Sequence, residues 1–222
     1  LEAVNEPMAI KTITLFPVDD LPTYEEYLKQ YEGQPKGTDV VKLEAEIPYR
    51  TSSSTIYPIE DRASAVSSPS DTSRTVLNTI GGDKWQTPGQ WVRYTFTVNS
   101  SGMYSIITRF MQNINDGMYS SRILSVYSGE GLKEGDLGYY NGVPFKEANE
   151  LRFNYSTDWQ TEALRFGNYG VNAKGKEEML YTDIEMYFAA GIEYTIELEV
   201  SLGTMGDIVR QVNNSLAIIN DA

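Results

Sequence analysis

The amino-acid sequence predicts an all-β protein: an antiparallel β-sandwich with a short helix before it and a second helix after it. Three observations carry that prediction. Several short runs alternate apolar and polar residues, and clusters of Gly, Asn, Ser and Pro separate those runs. The strand–helix–strand rhythm of a parallel sheet is missing, and the 222 residues suit one large domain with attached segments.

The elements follow in order. Residues 9–16, "AIKTITLF", read as an edge strand. "PTYEEYLKQY" at 22–31 reads as a helix, with Thr23 as N-cap and Glu26 closing a capping box. Its Tyr24, Tyr27, Leu28 and Tyr31 form one stripe at helical spacing, so the helix packs on something. "EGQPKGTD" is a connector, and the strand series starts at 40–47 with "VVKLEAEI". Residues 51–75, rich in Ser, Thr and Pro, predict a long surface loop holding at most a short strand.

The stretch "GQWVRYTFTVNSSGMYSIITRF", 89–110, predicts a hairpin. Val92, Tyr94, Phe96 and Val98 share one face of its first arm, and Tyr104, Ile106 and Phe110 mark the second. "SRILSVYS" and "NELRFNY" are further strands, while Gly, Asn and Lys between 167 and 178 predict a loop. "GIEYTIELEV" gives the cleanest alternation, with Ile192, Tyr194, Ile196, Leu198 and Val200 inward. After it, Met205, Ile208, Val209, Val212, Leu216 and Ile219 fall on one helical face. That helix either caps the sandwich or opens a helical region; the absence of a Gly or Pro stop favours the second. The expected organisation is an extension with a helix (1–39), the sandwich (40–202) and the start of a helical segment (203–222).

Composition narrows the function. A net charge of −13 opposes binding to nucleic acid, whose phosphates demand a basic face. No cysteine and no histidine are present. Disulfides, zinc–thiolate sites, Ser-His-Asp and Cys-His catalysis and His-based metal sites are therefore excluded. No apolar run is long enough to span a membrane. Paired carboxylates still allow glycoside hydrolysis, and Asp183 and Glu185 share one strand face in "TDIEMYF". A solvated acidic strand face is the plainer account of that pair among 31 acidic residues.

Trp85 and Trp159 lie in polar surroundings, "GGDKWQTPG" and "STDWQTE", where an indole either anchors a loop or meets a ligand. Trp91 opens a strand and reads as scaffold.

Four pieces in order, "VVKLEAE", the 89–110 stretch, "STDWQTE" and "FAAGIEYTIELEV", resemble family 6 and family 35 carbohydrate-binding modules over residues 40–202. With "TYEEYLKQY" before and "LGTMGDIVRQVNNSL" after, the chain is similar to the module-like N-terminal parts of large bacterial extracellular solute-binding proteins of carbohydrate transporters. The resemblance implies a jelly-roll sandwich that binds an oligo- or polysaccharide without catalysis. It also implies an extracellular setting and, as partners, the remainder of a longer chain and transporter components. Carried over by motif, the ligand residues would be Trp85, Trp159, Arg109 and Asn113, and Glu44 or Glu46 would help hold a structural calcium. The alternatives are a structural or protein-interaction sandwich that has lost the sugar site, and a carboxylate glycosidase.

Overall fold

The structure is a computed structural model that describes residues 20–62, 69, 71, 73–114 and 116–220. The expected edge strand at 9–16 lies outside the described residues.

Helix α1 spans Tyr24–Gln30 and begins as its sequence dictates. The Thr23 side chain accepts from the Glu26 N–H, and the Glu26 carboxylate accepts from the Thr23 N–H, so two orphan amides are satisfied reciprocally. Among the described residues fourteen strands follow: β1 (Arg50–Thr51), β2 (Pro58–Ile59), β3 (Thr79–Ile80), β4 (Trp91–Thr97), β5 (Gly102–Ser105), β6 (Ile107–Gln112) and β7 (Tyr119–Ser128). Then come β8 (Asn141–Gly142), β9 (Leu151–Asn154), β10 (Ser156–Ala163), β11 (Arg165–Val171), β12 (Glu177–Asp183), β13 (Glu185–Phe188) and β14 (Glu193–Ser201). Helix α2 spans Thr204–Asn220.

Two antiparallel layers form the sandwich. The large sheet runs β1-β4-β14-β7-β9-β11-β12, with β8 added to β7. The facing layer holds β5 paired with β13 and β6 paired with β10. The chain passes between layers at two bends, Leu164 between β10 and β11, and Ile184 between β12 and β13. Main-chain bonding continues through those corners: Leu164 N–H donates to Ile106 O, and Ile184 N–H donates to Leu164 O, each at 2.8 Å. Both corner side chains are buried, so the turn between layers is itself part of the core.

The first expected feature to change is the 89–110 hairpin. Its arms do not pair with each other: β4 pairs with β14 and β1, while β5 pairs with β13 in the facing layer. Alternation established that each arm buries a face, and both arms do: Phe96 of the first meets Phe188 of β13 edge-on at 5.0 Å, and Tyr104 of the second packs on the same ring at 6.1 Å. A polar turn serves an arch between sheets as well as a hairpin within one. Gly102 at the arch exit permits the close approach of residues 35–37, since a Cβ there would sit 2.5 Å from the Gly37 nitrogen. Met103 thereby exchanges backbone bonds with Pro35 and Gly37.

Two further expectations are corrected. Residues 40–47 form no strand. Their apolar members have nothing to bury against (Val40 is 96% and Ile47 71% exposed), and the Ile47 N–H closes a turn on Glu44 O. Residues 167–178, expected as a loop, are mostly the arms of the β11–β12 hairpin, turned at 172–176 with Asn172 Oδ1 accepting two backbone amides. The glycines there are strand positions covered from the partner strand, Gly167 by Met179 and Gly170 by Leu180.

Helix α1 belongs to the same core. Tyr24, Tyr27 and Tyr31 are buried among Phe145, Phe166, Tyr140 and Tyr187. Their hydroxyls do what a neighbouring strand would do for β13. Tyr24 Oη accepts from Glu185 N–H at 2.8 Å and donates to Asp183 O at 3.3 Å. Tyr187 N–H donates to Tyr27 Oη at 3.1 Å, and Tyr140 Oη–H donates to Tyr187 O at 2.8 Å. Tyr140 has one proton and spends it on Tyr187, so Tyr27 is the donor in the 2.6 Å contact between the two hydroxyls. A closed ring of three hydrogen bonds thus caps the free edge of β13.

Helix α2 leaves the sandwich. Glu150 holds its first turn, accepting from Thr204 N–H at 3.1 Å while also accepting from Tyr119 Oη and Arg152 Nη2. Met205, Ile208, Val209, Val212 and Leu216 stay exposed, so the helix does not cap the sandwich. No helix among the described residues is long and apolar enough to cross a membrane.

Candidate functional site

The expected site residues fall into two groups. Arg109 and Trp159 come together on the outer face of the facing layer. In the β6–β10 ladder, Thr161 is opposite Arg109 and Gln160 is opposite Phe110. Phe110 meets Phe153 of the large sheet edge-on at 4.9 Å and so points inward, which turns Arg109 outward by the strand period of two. The register slips between Ser156 and Gln160, and the Ser156 hydroxyl ties this bulge by bonding Asp158 and Gln160. The bulge presents Trp159 on the outer face, half-buried, with the Arg109 guanidinium 5.9 Å from its ring centre.

A residue that sequence reasoning missed completes the group. Trp159 Nε1–H donates to Asp61 Oδ2 at 2.9 Å. Asp61 sits 98 positions earlier in the chain. Its backbone is clamped by Asn78, whose Oδ1 accepts from Asp61 N–H at 2.8 Å and whose Nδ2 donates to Asp61 O at 3.0 Å. Beside it, Arg62 bonds the Glu60 carboxylate and holds it below its ordinary range, with the Val76 N–H adding to the effect. The Ser/Thr/Pro composition of that loop carried no signal for a partner of Trp159. Asn113 lies exposed just past the end of β6, one residue beyond the buried Gln112.

Trp85 has a different role. Its Nε1–H donates to Gln90 O at 3.1 Å, and the Arg122 guanidinium lies 4.3 Å from its ring centre. Arg122 points into the sandwich, in register with Val200 and Leu151, and donates to the carbonyls of Ser121 and Trp85. Burial pulls this guanidinium down to about 10. The indole therefore closes the end of the core over a buried cation. Trp91 lies on the outer face of the large sheet beneath Arg93, 4.1 Å away, and Arg93 is ion-paired with the buried Glu197 at 2.5 Å.

Glu44 is engaged by Lys42 at 2.6 Å, and among the described residues no three carboxylates gather as a metal cluster. Asp183 and Glu185 flank the buried corner residue Ile184, with Asp183 opposite Arg165 in the ladder. Their backbones, rather than their carboxylates, are what Tyr24 holds.

No family model matches this chain. No curated protein matches it either. Among solved structures the chain is similar to a cycloisomaltooligosaccharide glucanotransferase from Paenibacillus sp. complexed with cycloisomaltoheptaose, with 16% identity and a TM-score of 0.40. The match covers 81% of this chain and 20% of that one, so the chain spans about a fifth of the enzyme's length.

Proposed function

We propose that this domain binds an oligo- or polysaccharide without altering it, through Trp159, Arg109, Asp61 and Asn113. The observation that supports the reading is the grouping of an indole, a guanidinium and a carboxylate on one outer sheet face. A sugar ring offers an apolar C–H face that stacks on an indole, and its hydroxyls need donors and acceptors arranged around that plane. Trp159 supplies the plane, Arg109 and Asn113 donate, and Asp61 accepts. The setting is the one implied by the sequence resemblance: an extracellular module of a bacterial solute-binding protein, which concentrates sugar for an attached partner.

Calorimetry against a panel of soluble oligosaccharides tests the site. Trp159→Ala should weaken binding at least about tenfold, ~1.4 kcal/mol, with Arg109→Ala acting in the same direction. Undiminished affinity in both variants would remove the site. A second reading, a protein-interaction domain, is favoured by one observation, the exposed apolar stripe of α2. Under that reading the sugar panel gives no binding at all.

A further inference from the structure

We infer that strand β12 is a docking edge, which takes up an extended peptide segment with an apolar centre and basic residues at both ends. None of the residues assigned to the sugar takes part, so the docking edge stands or falls independently of the proposed function.

Elsewhere the sandwich guards its edges, because a bare strand edge is a template for pairing with another chain. At the far end of the large sheet β1 is only two residues long. In the facing layer β5 is bonded by residues 35–37, β10 is broken by the bulge before Gln160, and β13 is capped by the tyrosine hydroxyls. Strand β12 has none of these devices. It ends the large sheet, and its seven residues pair with β11 in one unbroken register from Arg165 opposite Asp183 to Val171 opposite Glu177.

The ladder shows which main-chain groups are open. The Asn172 N–H donates to Lys176 O and the Ile184 N–H to Leu164 O, so the even-numbered residues bond across this pair. By the alternation of an antiparallel ladder, the odd-numbered residues of β12 turn their N–H and C=O to the other side. Asp183 O is taken there by the Tyr24 hydroxyl. Among the described residues nothing bonds the main chain of Glu177, Met179 or Tyr181 on that side.

Side chains beside the edge are apolar and uncovered. Tyr169 and Val171 on β11 are 83% and 61% exposed, and Tyr181 shares their face, while Leu180 is exposed on the other. A strand laid along β12 covers Met179 and Tyr181 on one face and Leu180 on the other, with its backbone bonded to the open groups.

Charge decides the occupant. Glu177 and Glu178 stand at one end of the apolar centre and Asp183 at the other, with no cation between them. A second copy fits poorly in antiparallel pairing about a two-fold axis. With Leu180 on the axis, Met179 lies opposite Tyr181, but Glu177 then faces Asp183 at both ends. With Met179 on the axis, Tyr181 and Leu180 fall opposite Glu177 and Glu178; with Tyr181 there, Glu177 faces Glu185. A segment with Lys or Arg opposite Glu177 and Asp183 keeps the apolar pairing and makes both ends attractive.

The test uses two fluorescent heptapeptides, acetyl-KTVVVTK-amide and the charge-reversed acetyl-ETVVVTE-amide, with anisotropy for affinity and amide hydrogen exchange for the site. In the protein alone, the amides of Glu177, Met179 and Tyr181 should exchange freely, and the basic peptide should protect them. The acidic peptide should bind at least about tenfold more weakly at low salt. In the double variant Glu177→Lys/Asp183→Lys, both positions being exposed, the preference should invert. Met179→Pro removes a donor from the open side and leaves the ladder to β11, so it should weaken the basic peptide about tenfold. Protection of the three amides before any peptide is added would overturn the inference, because another part of this chain or a second copy would already fill the edge. So would protection elsewhere on the protein, or no binding of either peptide. Equal affinity for the two peptides, or a preference unchanged in the double variant, would overturn the assignment to a basic segment.

Discussion

Replacing Tyr27 by Phe tests whether hydroxyls of α1 stand in for a strand beside β13. The ring keeps its neighbours, Phe145 at 5.1 Å and Tyr31 at 4.9 Å, so packing is nearly unchanged. Two hydrogen bonds disappear, from Tyr187 N–H to Tyr27 Oη and from Tyr27 Oη–H to Tyr140 Oη. Each is worth about 1 kcal/mol net, and an orphaned buried N–H costs about 1–3 kcal/mol more. Relief from burying the hydroxyl offsets part of this, so the expected loss is about 2–3 kcal/mol. That is a large share of a domain stability of about 5–15 kcal/mol. Urea denaturation should show a lower midpoint at unchanged slope, and the thermal midpoint should fall by about 5–10 °C. Tyr140→Phe breaks the same ring, and the bond between the two hydroxyls is counted in both single variants. The double variant should therefore cost about 1 kcal/mol less than the sum. A loss below about 0.5 kcal/mol for Tyr27→Phe, or strict additivity of the pair, would refute the closed ring.

Two other perturbations have definite outcomes. Burial raises the hydroxyls of Tyr24, Tyr27, Tyr94, Tyr119, Tyr140 and Tyr194 above the ordinary tyrosine value. Between about pH 10 and their folded values the native state holds more protons than the unfolded chain, so stability falls as pH rises there. Arg122, lowered to about 10, acts in the opposite sense as a single group against six. Denaturant midpoints from about pH 9 to about 11 should therefore decrease, together with the appearance of tyrosinate absorbance; a flat profile contradicts the buried network. Trp85→Ala uncovers Arg122 and should cost about 3 kcal/mol of stability, while sugar affinity of the folded fraction stays unchanged. A stable Trp85→Ala protein with weakened sugar binding would return Trp85 to the ligand site.

Much of the architecture was legible because its signals are local. The capping box at Thr23 and Glu26 and the alternation of β14 are each set by neighbouring residues, and both appear as expected. Misreadings came where local pattern is ambiguous. The alternation in "VVKLEAEI" looks like a strand, yet a strand needs an edge to pair with, and residues 40–47 have none. Gly167 and Gly170 look like loop residues, yet side chains from β12 supply the covering they lack.

For the candidate sites the division is sharper. By its composition the sequence determined that this chain has no histidine or thiol chemistry and that aromatic residues are plentiful. It also determined which strands have a buried face, because side-chain alternation is a property of the strand alone. The tertiary structure decided which residues meet. Asp61 reaches Trp159 only because β10 bulges and Asn78 clamps a distant loop. It also separated two similar tryptophans: the buried cation under Trp85 comes from β7, 37 residues away in the chain. Contacts at that separation depend on how the layers stack, and stacking is set by the whole core rather than by any short run of residues.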